Sequence, residues 1–404
     1  MLCQFSFKNF KSYKNETIFD MQAVNNQGFN DSLLRSGNDK KEFLPVSVIY
    51  GPNAGGKSNV LKALKCVNTL VMKPILLYKN NVEKDINVEW DPFCFDDSSC
   101  HEPTAFEIFF RPDSEYEYRY AIAIQDKKII EESLYRRKIS AKSRIATIFE
   151  RTPDGIKLGS SINKASINKK INDQMPYLSF LAIFYELEPI IDAVSWFESC
   201  IIRNYANPYA EHHLIMGEGD DFKEMLISLM NDIGINISNF EFVEKSTEKK
   251  SFDILFEHTV HGKPYKLNIN RESDGTQKLF NVLPLVLIAL SEGNLLVFDE
   301  LDAKLHPKLL KYIVMLFKDP EININNAQLI FTSHDVSTMK SSVYRTDEIW
   351  FACKLDDESS NLYSLYELRD ESGNHIQRSA AFDKQYLEGR YGADPYFRNM
   401  MDWK

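Results

Sequence analysis

The sequence has no Cys-x-x-Cys pair, no apolar run approaching a membrane span and, within 176–245, no heptad pattern sustained over several repeats. Its six cysteines, Cys3, Cys66, Cys94, Cys100, Cys200 and Cys353, are scattered. That spacing excludes a structural zinc ribbon and a disulfide framework, and it fits a reducing compartment. A transmembrane helix needs roughly 20 apolar residues, and Met1 leads into alternating residues rather than a basic and then apolar leader. A cytoplasmic, soluble protein with no membrane contact is therefore expected, and without heptads no long coiled coil is. Positive charge is also short, the formal balance being −10. A surface that coats nucleic acid as a whole is excluded, and any such contact has to come from a local cluster. What remains is globular composition, 44% hydrophobic and 26% charged, with 404 residues to build two or three cores.

Glycine is sparse, 16 in the whole chain, yet Gly51, Gly55 and Gly56 fall together in GPNAGGKS, Gly51 to Ser58. This fits G-x-x-x-x-G-K-[ST] at every specified position. The apolar run 45–50 before it reads as a buried strand. Asn59 to Met72 after it reads as a helix, with Val60, Leu64, Val67 and Val71 on one face. In a strand–loop–helix, the backbone N–H groups of Asn53, Ala54, Gly55 and Gly56 turn towards a polyphosphate at the positive helix end. Lys57 is then expected on the β- and γ-phosphates of ATP and the Ser58 hydroxyl on Mg²⁺.

Around this centre the period changes several times. Residues 3–20 read as two strands, and Asn25 to Lys41 as a polar loop. TAFEIFF and EYEYRYAIAI, Thr104 to Phe110 and Glu115 to Ile124, alternate across Arg111-Pro112-Asp113-Ser114 as a hairpin. Lys127 to Arg137, Ile145 to Glu150 and Ile156 to Leu158 extend that antiparallel sheet. Arg136, Arg137, Lys138, Lys142 and Arg144 form the densest basic cluster, open to two readings, a nucleic-acid contact or a solvated loop. Pro176 to Arg203 has helical spacing, with a break possible before Pro189. Asp221 to Asp232 gives a second helix with Phe222, Met225, Leu226 and Leu229 as its apolar residues. A second hairpin turns at His261 to Pro264.

NLLVFDE, Asn294 to Glu300, is an apolar run ending in two carboxylates, as in a buried parallel strand whose acids emerge at the carboxyl edge. In this Walker B reading Asp299 holds Mg²⁺, and Glu300 orients or deprotonates the attacking water. Upstream, Ser273-Asp274-Gly275-Thr276-Gln277 begins a helix, with Ser273 as N-cap and Leu279, Val282, Leu283 and Val286 at helical spacing. Downstream, Ala327 to Asp335 is a strand ending in hydroxyls, a histidine and an acid, which makes His334 the candidate γ-phosphate sensor.

The order Walker A, S-x-G-x-Q, Walker B with Asp-Glu, then Ser-His resembles the ATPase head of the ABC superfamily in its SMC, RecF and OLD branch. The opening FKNFKSY is similar to the N-terminal strands of those heads, and LDAKLHP to their D-loop, with His306 where SMC heads carry Asp. Within the branch, EPTAFEIFF and YLEGRYGADPYF, Tyr386 to Phe397, resemble AAA-type proteins of the RloA and AbiLii kind, linked to phage defence. The resemblance implies an α/β P-loop NTPase head with a mostly parallel core sheet, an antiparallel β-subdomain and a helical insertion. The expected division is 1–175, 176–245 and 246–404.

It also implies a symmetric homodimer with two ATPs sandwiched. Ser273 and Gly275, with Gln277 completing the motif, act on the nucleotide of a second subunit, and His306 is a further candidate there. Gln125 is unassigned, and no other Gln lies between the P-loop and it. OLD-type relatives carry a TOPRIM nuclease after the ATPase. Roughly seventy residues follow His334, too few for that domain, so an effector, nuclease or toxin, is expected on another chain. The competing expectations are a RecF-like DNA-repair clamp bound through Arg136, Arg137 and Lys138, and a GTP switch, which lacks the S-x-G-x-Q helix.

Overall fold

The strand Val46 to Tyr50, β-branched apart from Ser47 and Tyr50, is buried at every position because it lies inside a sheet covered on both faces. The computed structural model that shows this describes residues 1–25, 28–37, 39–81, 90–140, 143–162, 166–204, 215–217, 219–246, 251–370 and 372–393. In chain order, β1 (Leu2–Lys8) and β2 (Thr17–Asp20) pair as expected. The polar stretch after them, expected as loop, holds β3 (Leu34–Arg35), which pairs with β4 (Glu42–Phe43) just beyond it. Then come β5 (Val46–Tyr50), α1 (Lys57–Lys79), β6 (Thr104–Phe110), β7 (Tyr116–Gln125), β8 (Lys128–Lys138), β9 (Ala146–Thr152) and β10 (Gly155–Leu158). They are followed by α2 (Tyr177–Phe184), α3 (Glu188–Ser199), β11 (Ile201–Asn204), α4 (Asp220–Asp232), β12 (Asn239–Ser246), β13 (Ser251–Val260) and β14 (Lys263–Asn268). The last part of the chain holds α5 (Asp274–Glu292), β15 (Leu295–Asp299), α6 (Pro307–Lys318), β16 (Gln328–Thr332), β17 (Ile349–Lys354), β18 (Ser360–Ser364) and α7 (Phe382–Leu387).

The architecture is the α/β P-loop NTPase head. Its core sheet runs β11-β15-β16-β5-β17-β18, parallel except for the last pair. Alternation along these strands divides two cores. Ile49, Leu295, Val297 and Ile330 face the antiparallel sheet and α1 to α3, while Val48, Tyr50, Leu296, Phe298, Leu329 and Phe331 face α5 and α6. The antiparallel sheet, β10-β9-β8-β7-β6-β1-β2, lies across the first core. Gln328 ties the sheets together: its amide accepts from Leu2 N at 2.6 Å and donates to the Leu2 and Leu44 carbonyls at 3.1 Å each. Among the described residues, no helix is long and apolar enough to cross a membrane.

Two local expectations change. Pro176 to Arg203 is broken before Pro189, as its sequence allowed, and its end is not helical. Extended backbone at Tyr185 and Leu187 separates α2 from α3, where Pro189 takes the first turn that its missing N–H suits. The β-branched Ile201-Ile202 then joins the core sheet beside β15, so the stretch expected to be helical supplies an edge strand. In α4, Leu226 and Met230 are the buried residues and Met225 is half exposed, because the helix meets α5 on one narrow stripe.

Candidate functional site

The parallel strands β5, β15 and β16 end together at one edge of the sheet, which gathers the P-loop, the Asp-Glu pair and the Ser-His pair in one place. Close packing sets the path of the P-loop. Gly51 has φ of 146°, and a Cβ there would collide with the Ala352 carbonyl of β17; Gly56, with φ of 109°, caps α1 and leaves no room beside Ser360 and Tyr13. Asn53 and Ala54 stand exposed at the crest, and Gly55 is buried below. Lys57 is buried and donates to the carbonyls of Gly51 at 2.8 Å and Pro52 at 2.9 Å. Burial lowers its ammonium pKa, against the pull of Asp299, Glu300 and Asp302 nearby.

Ser58 donates its hydroxyl to Asp299 Oδ1 at 2.9 Å, joining the start of α1 to the end of β15 across 241 residues. Thr332, the last residue of β16, donates to the same Oδ1 at 2.7 Å and accepts from the Glu300 N–H at 2.7 Å. Glu300 has a left-handed φ of 56° and is exposed, so the chain turns sharply once it leaves the sheet. Asp302 Oδ2 accepts from the backbone N–H groups of His334 at 2.9 Å and Asp335 at 3.0 Å, which fixes the loop under an exposed imidazole. The other Asp302 oxygen is buried without a hydrogen-bond partner among the described residues.

Ser273 caps α5, its Oγ accepting from Thr276 N at 3.1 Å, and it is exposed. Gly275 is half-buried, and a Cβ there would touch the Lys304 carbonyl at 3.5 Å. Among the described residues no hydrogen bond joins either of them to the P-loop. Gln277 donates to the Glu272 carbonyl at 2.9 Å, and His306 caps α6, its Nδ1 accepting from Lys308 N at 3.2 Å. Gln125, at the end of β7, donates to the His101 carbonyl. Of the tail, Tyr386 to Ala393 lie among the described residues and pack on their own chain. Tyr386 stacks on Phe351 at 5.5 Å, and Tyr363 donates to the Tyr391 carbonyl. Residues 394–397 and Lys142 lie outside the described residues.

The basic cluster reads differently once folded. Arg136 meets Glu188 at 2.9 Å and lies over the Tyr116 ring, Arg137 meets Glu117 at 2.5 Å, and Lys138 meets Glu115 at 3.1 Å. Carboxylates thus face three of the cations on which the nucleic-acid reading of the cluster would rest.

Several residues of the site have no role in the sequence reading. Thr332 and Asp302 act through groups distant in sequence. Ser12 accepts from Asn59 Nδ2 and from Ser360 Oγ at 2.8 Å each, bracing the first turn of α1. Lys278 is a lysine on the buried stripe of α5, at helical spacing from Val282, Leu285 and Ala289, and that misfit was its signal.

The side chains suit the expected ligands. Ser58 and Asp299 offer hard oxygen donors of the kind Mg²⁺ takes, and the glycine-lined loop with its buried lysine suits a polyphosphate.

A search of curated proteins finds no match. Similar solved structures include the SMC head domain from Thermotoga maritima, 14% identical with a TM-score of 0.44, covering 90% of this chain and 98% of that one. Another is the Smc head domain with a coiled coil and joint derived from Pyrococcus yayanosii, 10% identical with a TM-score of 0.46, covering 96% and 99%. Residues 46–340, well over half of the chain and every motif of the site, match the family described as "AAA domain, putative AbiEii toxin, Type IV TA system". The chain belongs to that AAA-domain family.

Proposed function

We propose that this protein hydrolyses ATP at the edge of β5, β15 and β16, that two copies close on two nucleotides, and that the cycle controls a separate effector, a nuclease or toxin, in anti-phage defence. The observation that carries the hydrolytic reading is the shared Asp299 oxygen. Ser58 and Thr332 converge on it, and Thr332 also holds the Glu300 N–H, so one hydroxyl sets the metal-side and water-side carboxylates relative to each other. Mg²⁺, when bound by Ser58 and Asp299, supplies charge neutralisation at the phosphates. Lys57 binds the β- and γ-phosphates, leaving its present carbonyl partners. Glu300 orients a water and accepts its proton, and His334 senses the γ-phosphate from a loop that Asp302 keeps in place.

Dimerisation is supported by Ser273, which is exposed, and Gly275, which is half-buried beside it; among the described residues neither has a hydrogen bond to the chain's own P-loop. They fit a second copy's nucleotide. The defence setting is supported by the family's description as part of a toxin–antitoxin system. The DNA-clamp alternative loses its cationic stripe to Glu115, Glu117 and Glu188. Glu300→Gln is expected to bind ATP, to lose turnover by at least about 100-fold, and to shift from monomer to dimer mass on adding ATP with Mg²⁺. Full turnover in that variant refutes the site. An unchanged monomer mass with ATP bound refutes the sandwich.

A further inference from the structure

We propose that Lys278 is a positioning residue. It locks the turn after β15 to the helix bearing Ser273 and Gly275, so that closure on a second copy's nucleotide and alignment of the subunit's own Glu300 are one event. This rests on the ATPase reading above.

Lys278 lies one turn into α5 and is 5% exposed. Its ammonium donates to the main-chain carbonyls of Glu300, at 3.3 Å, and of Ala303, closer still. Those carbonyls point inwards because the turn is closed between left-handed residues, Glu300 with φ of 56° and Lys304 with φ of 62°. Within the turn the Glu300 carbonyl also accepts from the Ala303 N–H at 3.1 Å and the Asp302 carbonyl from the Leu305 N–H at 2.9 Å, while the Ala303 carbonyl accepts from the Lys278 ammonium. A second tie runs the other way, from Lys304 Nζ to Asp274 Oδ2 at 2.9 Å, but both side chains are largely exposed, so Lys278 is the stiffer connection. Within the same turn, Asp302 holds the His334 and Asp335 N–H groups.

The physical chain is therefore continuous. Ser273 and Gly275 sit at the start of α5, Lys278 follows on that rigid helix, and the 300–304 turn hangs from its ammonium. At one end the turn bears Glu300, and through Asp302 it holds the loop of His334. Any displacement of the α5 N-terminus on engaging a partner's phosphate is handed to the hydrolytic carboxylate. Burial pushes the Lys278 pKa down to about 8, against the pull of Asp302 and Glu300, so the ammonium keeps its charge in a place that disfavours it. That observation agrees with the geometry and is not needed for it.

The experiment compares wild type, Lys278→Met, Lys278→Arg and Glu300→Gln. It measures equilibrium binding of a fluorescent ATP analogue with Mg²⁺ and steady-state kcat and KM over a range of ATP concentrations. Met matches lysine in length and removes the ammonium from both carbonyls, the Glu300 oxygen keeping the Ala303 N–H at 3.1 Å. The expected result is nucleotide affinity and KM within about twofold of wild type, kcat lower by about tenfold or more, as for small misplacements of a reacting group, and recovery to within about threefold in Lys278→Arg. Two results overturn the proposal: Lys278→Met turning over like wild type while Glu300→Gln is inactive, or binding and turnover falling together without rescue by Arg, which marks a purely structural lysine. If Glu300→Gln itself turns over normally, the site reading fails, and the Lys278 proposal falls with it.

Discussion

The edge of the parallel sheet and the outer strands of the antiparallel sheet each concentrate charge, and they handle it in opposite ways. At the edge of the parallel sheet, Lys57 and Lys278 are buried and held by main-chain carbonyls. On β7 and β8, Arg136, Arg137 and Lys138 each meet a carboxylate. Nearby, Arg111 is fully buried between Glu117, at 2.8 Å, and Asp39, at 2.5 Å. A carbonyl offers a partial charge that an incoming phosphate readily replaces, whereas a carboxylate offers a full one. At Lys57 the first arrangement leaves a cation ready for an anionic ligand, at Lys278 it ties a turn to a helix, and the second pairs each cation within the fold. Density of basic residues alone therefore says little about ligands.

Removing a cation from each region sharpens this contrast. Lys57→Ala is expected to lower ATP turnover by at least about 100-fold, as when a single charge-stabilising donor is lost. It should leave the urea unfolding midpoint little changed, since no carboxylate is left stranded. Arg111→Met should do the reverse, keeping turnover while lowering stability by about 3–5 kcal/mol, because Glu117 stays buried with only Arg137 to balance it. A Lys57→Ala protein that unfolds as easily as Arg111→Met would erase the distinction.

The same pair predicts a pH dependence. Burial pushes the Glu117 carboxyl up, but hydrogen bonds and charge from Arg111 and Arg137 outweigh it and hold the pKa below the ordinary glutamate value. A lowered folded pKa gives stability that is present above the ordinary value of about 4.3 and lost as pH falls through the folded one. Denaturant titrations at neutral and acid pH should show this loss in wild type and a smaller one in Arg111→Met.

What the sequence made legible were features whose chemistry sits on neighbouring residues. The loop Gly51 to Ser58, the acids of β15, the cap at Ser273 and the end of β16 each declare themselves within a few positions, and each lies where strand and helix patterns put it. The hairpins followed from their period of two. What was hidden depended on register between distant segments. Thr332 acquires its role because β16 lies beside β15, and Lys278 because α5 packs over the turn that β15 leads into. The stretch 201–204 shows the same limit: Ile201-Ile202 read as the end of a helix until β15 supplied a partner. The charge pairing on β7 and β8 is a middle case, since Glu117 faces Arg137 and Tyr116 faces Lys138 once the two strands are aligned. Extending the hairpin register by hand would have exposed it.

The smallest expected effect probes that pairing from the acidic side. Glu115 and Glu188 are both more than half exposed, so Glu115→Gln with Glu188→Gln should leave folding and ATP turnover unchanged while freeing Lys138 and Arg136. If the carboxylates are what silences the cluster, wild type should bind short duplex DNA weakly, with little dependence on salt. The double variant should bind it more tightly at low salt, with log K falling against log salt more steeply by up to about 1.8, the value for two additional phosphate contacts. Arg136 stays partly engaged by the Tyr116 ring and the Tyr118 hydroxyl, so the increment should fall short of that limit. Tight, steeply salt-dependent binding by wild type, unchanged in the variant, would mean that the carboxylates do not neutralise the cluster and that the two regions differ less than their contacts imply.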